Sequence, residues 1–307
     1  MKITTKILLA FTLVTLSGCI GPSGGPGAAP NSTALMEDLL KASGNITSYR
    51  FESSKMTTAE FLNLTEGRVL EDRLSYQLKE SGEISISKNT SQSMLRVAQE
   101  STMSSEKYRN LSMSASREYY IINNTRYEKT NGNWTRLFMP YPEYELLREN
   151  RLYLQLDILN RSRAEVIGSE VVDGTDCWKL KVSPENSTIR AAVIALEVSE
   201  VLGLPAQILL AMFNTTELER NSSMDWTAWV SKDDKHLVKK EGNVGVSITP
   251  EVLGISSPGV RFVINVDVEE SMRFFDYDRP IEIELPDEAR SAVMLIPVVN
   301  ISGVSNG

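Results

Sequence analysis

Over most of its length this chain alternates apolar and polar residues with a period of two, and that period limits the folds open to it. Leu74, Tyr76 and Leu78 alternate with Ser75, Gln77 and Lys79, and Ile84 and Ile86 with Glu83, Ser85 and Ser87. Phe262, Ile264, Val266 and Val268 share a face opposite Asn265, Asp267 and Glu269; Ile281, Ile283 and Leu285 oppose Glu282 and Glu284. Successive side chains of a strand point to opposite faces, so these segments build a sheet with one buried and one wet face. That is antiparallel behaviour, because parallel strands are covered on both sides and read as unbroken apolar runs. Short strands at 118–122, 125–129 and 133–138 are separated by Asn123-Asn124 and Asn131-Gly132-Asn133, which suit hairpin turns.

The second half repeats the mix. Strands at 164–171 and 176–183 flank the turn Asp173-Gly174-Thr175, and Trp226, Ala228, Val230 and Val244, Val246, Ile248 form two further alternating sets. Helices are expected at 34–43 and 142–159. Strands without a βαβ rhythm give an α+β fold with a large antiparallel sheet.

Residues 189–213 are the least polar part of the chain after its N-terminal segment, broken at Gly203-Leu204-Pro205. Glu197 and Glu200 near the middle argue against a membrane span, since each costs about 2.5 to 3.5 kcal/mol at a helix centre. Two readings stay open: core helices that seal the sheet, or helices that line and gate an apolar cavity. In the second, Val193, Ile194, Leu196, Val201, Leu209, Met212 and Phe213 form the wall, one suited to acyl or isoprenoid chains.

The N-terminus carries a separate signal. Lys2 and Lys6 precede an apolar stretch, 7–16, too short to span a bilayer and closed by Leu16-Ser17-Gly18-Cys19. That quartet resembles the prokaryotic lipobox, which implies that residues 1–18 are a lipoprotein signal peptide. Cys19 then becomes acylated and holds the mature chain on the outer face of a membrane. Residues 19–33, rich in Gly, Pro, Ala and Ser, read as a flexible stalk before a single domain at 34–307.

Sequons support export. Asn31, Asn45, Asn63, Asn89, Asn110, Asn123, Asn133, Asn160, Asn186, Asn214, Asn221 and Asn300 all begin Asn-x-Ser/Thr, twelve of eighteen asparagines. About three would arise by chance. With the lipobox, this excess suggests a glycosylated surface lipoprotein of archaeal origin.

Several functions find no residues. Loss of Lys2 and Lys6 takes the net charge from −8 to −10, and an acidic surface repels nucleic acid. Cys177 alone remains beside the lipidated Cys19, so no internal disulfide forms, and next to Trp178 it reads as a small buried apolar residue. His236, the only histidine, follows an Asp233-Asp234 turn and reads as a solvated strand end. Neither a catalytic triad nor a zinc site can be assembled. Asp276-Tyr277-Asp278 reads as a loop before Pro280. Ser85-Ile86-Ser87-Lys88 and Ser104-Ser105-Glu106-Lys107 match Ser-x-x-Lys at about the frequency chance allows. Glu269 and Glu270 point to opposite faces and cannot share a substrate. The chain is therefore expected to be no enzyme and to carry no cofactor or metal.

Three segments carry a family resemblance: 118–137 (EYYIINNTRYEKTNGNWTRL), 170–180 (EVVDGTDCWKL) and 275–289 (FDYDRPIEIELPDEA). They resemble hairpins of the LolA/LppX-like lipoprotein-carrier fold, in its archaeal surface-lipoprotein branch, over about residues 34–290. The resemblance implies a curved antiparallel β half-barrel covered by helices, often around an apolar cavity. It carries over no catalytic residue. The expected function is a lipid-anchored, extracytoplasmic protein that binds or carries an apolar, lipid-like ligand. The alternative is a surface sensor or protein-interaction module with a closed core and no small-molecule ligand. Membrane contact through the lipid on Cys19 is the one partner expected in either case.

Overall fold

The computed structural model describes residues 30–295 apart from 66, 68, 88–92, 109–111, 131, 141–148, 256–258 and 260. The signal segment, Cys19, most of the stalk, residues 142–148 of an expected helix, and Asn89, Asn110 and Asn300 lie outside the described residues.

Alternation produces what it demands, a twelve-stranded sheet. In chain order the strands are β1 (Ser48–Asn63), β2 (Val69–Ser85), β3 (Met94–Ser105), β4 (Ser112–Ile122), β5 (Thr125–Thr130) and β6 (Asn133–Phe138). There follow β7 (Ser162–Val172), β8 (Thr175–Pro184), β9 (Ser222–Ser231), β10 (Leu237–Ile248), β11 (Phe262–Phe275) and β12 (Val293–Leu295). Their order is β12-β6-β5-β4-β3-β2-β1-β11-β10-β9-β8-β7, antiparallel except for β12 on β6. The edge strands β12 and β7 do not pair with each other, so the half-barrel stays open. Asn123 and Asp173 turn their hairpins at φ 53° and 49°, the left-handed region that Asn and Asp tolerate.

One expected strand is absent. Residues 281–285 alternate, and Ile283 is buried, yet they join no ladder. Pro280 and Pro286 bracket them and offer no N–H to a neighbour.

The helices are α1 (Ser32–Ser43), α2 (Arg151–Asn160), α3 (Ser187–Leu202), α4 (Ala206–Met212), α5 (Thr215–Arg220) and α6 (Asp287–Arg290). The first starts two residues before the expected Ala34, because the Asn31 side chain accepts from the Thr33 and Ala34 N–H groups and caps it. Gly203, at φ 64°, ends α3 and turns the chain into α4 at the expected break.

Register defines which residues share the helix-facing side. Across β1, β2, β3 and β4 the rows run Tyr49–Ile84–Leu95–Ile121, then Phe51–Gly82–Val97–Tyr119, then Ser53–Glu80–Gln99–Arg117. Beyond them come Lys55–Leu78–Ser101–Ala115 and Thr57–Tyr76–Met103–Met113. The first row is 0–2% exposed and forms, with α1 and α2, one contiguous core that continues under α3. On the other wing Trp226 lies directly over Gly242, where an added Cβ would stand 1.8 Å from the indole. The opposite side of the sheet is open to solvent. Two polar grooves of about 440 and 470 Å³ cross it, meeting at Ser54 and Ser271.

Candidate ligand site beneath the helical cover

Helix α3 lies across β1, β8, β10 and β11 and carries most of the expected apolar wall. Val193, Ile194 and Val201 are buried on its underside, and Leu209 and Phe213 anchor α4. Leu196 and Met212 are not part of that wall, being 52% and 40% exposed. The reason is helical phase. At 100° per residue Leu196 points away from the side that buries Val193, Ile194 and Val198. On α4 only Leu209 is buried, so the neighbouring apolar residues face out.

A void of about 10 Å³ lies between α2 and the sheet, bounded by Gln155, Ile158, Leu159, Trp226 and Lys240. It holds one water at most.

An ionic band, not apolar surface alone, runs through this interior. Lys55 of β1 meets Glu197 of α3 at 3.2 Å, and Lys240 of β10 meets Glu270 of β11 at 2.7 Å. Lys240 also sits 4.5 Å from the centre of the Trp226 ring. One row further, Arg151 at the start of α2 reaches Glu80 at 2.8 Å, and Glu80 accepts from Ser53 and Gln99 as well. Tyr119 and Arg126 close on Glu149 at 2.7 and 3.1 Å. Burial of these charges is tolerable only because each has a partner.

The two central carboxylates respond differently. Burial, and then the nearby Glu270 charge, raise the Glu197 pKa above the usual carboxylate range, with Lys55 only partly offsetting them. Burial acts on Glu270 too, but Lys240 and Lys55 outweigh it and hold its pKa low. Glu270 is the firmly ionised member.

Beyond the band the same face emerges from cover. In the row Thr57–Tyr76–Met103–Met113, Thr57 is 1% exposed, Tyr76 and Met103 are half-buried, and Met113 is 59% exposed. Half-buried Leu74 and Phe61 continue this apolar shelf and pack against the core. At its inner end the Thr57 hydroxyl is buried and has no hydrogen-bond partner among the described residues. Sequence reasoning placed Leu74 and Tyr76 on one face but did not join them to Met103, Met113 and Thr57. Cross-strand register makes that link.

The remaining candidates are structural. Cys177 is fully buried and burial pushes its thiol pKa up to about 11, which makes it a poor nucleophile. His236 is not a solvated strand end. Its ring lies 4.5 Å from that of Tyr277, it is half-buried, and burial lowers its pKa. Asp276 pairs with Arg50 and Arg279, and Asp278 accepts from the Thr47 N–H and hydroxyl, so this loop ties β11 to β1. Among the described residues no three His, Cys, Asp or Glu side chains cluster as a metal site would require. No helix among them is long and apolar enough to cross a membrane.

Nine sequons are described. Asn31, Asn45, Asn63, Asn123, Asn133, Asn160, Asn186 and Asn214 are exposed, and Asn221 is half-buried. Asn31, Asn186 and Asn214 cap helices through the side-chain oxygen. Asn221 instead donates its amide nitrogen to the Glu217 carbonyl at 2.8 Å.

No protein family and no curated protein matches the sequence. Among solved structures, the chain is similar to LprF from Mycobacterium bovis at 13% identity and a TM-score of 0.42. That alignment covers 84% of this chain and 99% of LprF. The lipoprotein LppX of Mycobacterium tuberculosis aligns at 14% identity and 0.38, over 83% of this chain and 100% of LppX. The LolA-superfamily protein NE2245 from Nitrosomonas europaea aligns at 10% and 0.21, over 85% and 97%. None of the three is archaeal. Likeness at this level says nothing about function.

Proposed function

We propose that the chain is a lipid-anchored, extracytoplasmic protein without enzymatic activity that binds or carries an apolar, lipid-like ligand. The observation that carries this reading is the shelf Tyr76–Met103–Met113, an apolar row continuous with the core yet left uncovered. A hydrocarbon chain laid along it would bury Met113 and Met103 and end at Thr57. The unpartnered Thr57 hydroxyl at the inner end suits an ester, ether or hydroxyl oxygen of the ligand. Leaving such a group unsatisfied costs about 1 to 3 kcal/mol, which a ligand oxygen would recover.

Cys19 supplies the anchor in this reading, and exposed sequons carry glycans. An archaeal source rests on the lipobox and the sequon excess together. Native mass spectrometry of the chain extracted from its own membranes tests the ligand. The wild type should retain a lipid, and Met103→Asp with Met113→Asp should lose it while remaining folded. A wild type that never carries lipid overturns the reading. Cys19→Ser should release the chain from membranes, and intact-mass analysis should find glycan at Asn31 and Asn133 before Asn221.

A second reading, an interaction module with a closed core, draws on the charges that tie α3 to the sheet. It leaves the shelf for a protein partner and is the reading that stands if no lipid is found.

A further inference from the structure

Residues 201–216 contain no charged side chain, in a chain where 23% of residues are charged. This run makes the corner between α3 and α4, and most of it is outside the core. Leu204, Ile208, Leu210 and Met212 are 40%, 48%, 37% and 40% exposed, and Leu196 beside them 52%. Gly203, Pro205, Gln207 and Ala211 between them are exposed as well. The corner stands at the end of the sheet where β10 finishes, fixed there by the Asn214 N–H bonded to the Val252 carbonyl.

We infer that this corner is a membrane-docking face that enters the interface of an uncharged lipid surface. It rests on the anchored reading above, because the tether selects the occupant. Cys19 precedes Asn31 by twelve residues, which span about 40 Å at full extension. β1, with sixteen residues, is about 50 Å long. A lipidated Cys19 therefore holds the whole domain within its own length of the bilayer. Apolar, unpatterned and uncharged side chains match hydrocarbon, whereas a protein partner is normally met by charged and hydrogen-bonding groups at the rim. Glu217, Glu219 and Glu251 flank the corner and disfavour anionic headgroups, which points to zwitterionic lipid and to binding that salt does not weaken.

The full lipidated chain on phosphatidylcholine vesicles provides the test. An environment-sensitive fluorophore is placed at Ile208→Cys, with Val171→Cys as the control. Val171 is 65% exposed at the opposite end of the sheet. The Ile208 label should shift to the blue and be quenched by nitroxide-labelled lipid equally at low and high salt, and the Val171 label should do neither. Leu204→Asp with Met212→Asp should cut the quenching at least fivefold. A water-like Ile208 label on a chain that stays bound overturns the docking face and spares the anchor. If the chain washes off without detergent, the anchor has failed, and quenching is read on chain freely added to vesicles, where its absence overturns docking. A blue shift without vesicles, on a chain that light scattering finds dimeric, gives the face to a second copy and overturns it too.

Discussion

Strands β2, β3 and β4 run from a sealed end to an open one, with the same inward phase throughout. At the sealed end Ile84, Leu95 and Ile121 are buried almost completely, in one core cluster with Leu35 and Leu39 of α1 and Leu152 of α2. At the open end Tyr76, Met103 and Met113 occupy the same face in the same register and stay partly in water. Between them lies the row of Glu80, Gln99 and Arg117, joined by Arg151. A polar row marks where the core stops and the shelf begins. An apolar phase in a strand therefore says which way a side chain points; coverage is decided by other elements.

The ionic band should be the costliest place to break this arrangement. Glu270→Ala leaves Lys240 buried without its carboxylate, and should lower stability by about 3 to 5 kcal/mol in urea unfolding. A loss below about 1 kcal/mol would mean that the band has enough water to be dispensable. Cavity substitutions then compare the ends directly. Leu95→Ala should cost about 2 to 5 kcal/mol, whereas Met103→Ala, half-buried on the shelf, should cost under about 1 kcal/mol. Equal losses would erase the distinction between sealed and open ends.

The cover offers a smaller effect of the same kind. Ile194 is fully buried under α3, so Ile194→Trp should overpack and cost about 1 to 3 kcal/mol. Leu196→Trp, two residues on and half in water, should stay within about 0.5 kcal/mol by the same unfolding measurement. A tolerated Trp at 194, with lipid lost, would show that the cover yields and that α3 borders ligand space.

Much of this fold is legible in the sequence. The sets Trp226, Ala228, Val230 and Val244, Val246, Ile248 lie in β9 and β10 as alternation implied, and Gly203-Leu204-Pro205 breaks the helices as expected. The ionic band is not, because its members come from strands and helices distant in sequence. It did leave a local trace. Tyr49, Phe51, Ser53, Lys55, Thr57 and Ala59 share one phase, as do Val266, Val268, Glu270, Met272 and Phe274, so Lys55 and Glu270 are charges standing in apolar positions. Such a charge needs a buried partner, and the phase break points to a network even though it does not name the partner. The open shelf left no trace, since coverage depends on where α3 crosses the sheet.

The smallest effect concerns the two carboxylates of the band, whose pH responses should have opposite sign. Glu197 has a folded pKa above the ordinary 4.5, so the folded chain holds its proton more tightly than the unfolded one. Stability from this group is present at low pH and is lost as pH rises through the raised value. The slope is at most about 1.4 kcal/mol per pH unit for one proton. Glu270 has a depressed pKa, so its contribution is present above 4.5 and lost as pH falls through its folded value. Glu197→Gln should flatten the mildly acid range above 4.5. Urea midpoints measured at intervals from pH 4 to 7 would show it. An unchanged slope above pH 4.5 would mean that Glu197 titrates as an ordinary surface acid. The Lys55 contact would then be too wet to hold α3 against the sheet, and the cover would be free to lift at neutral pH. A flattened slope keeps Glu197 in the dry interior, paired with Lys55 and holding α3 against the sheet.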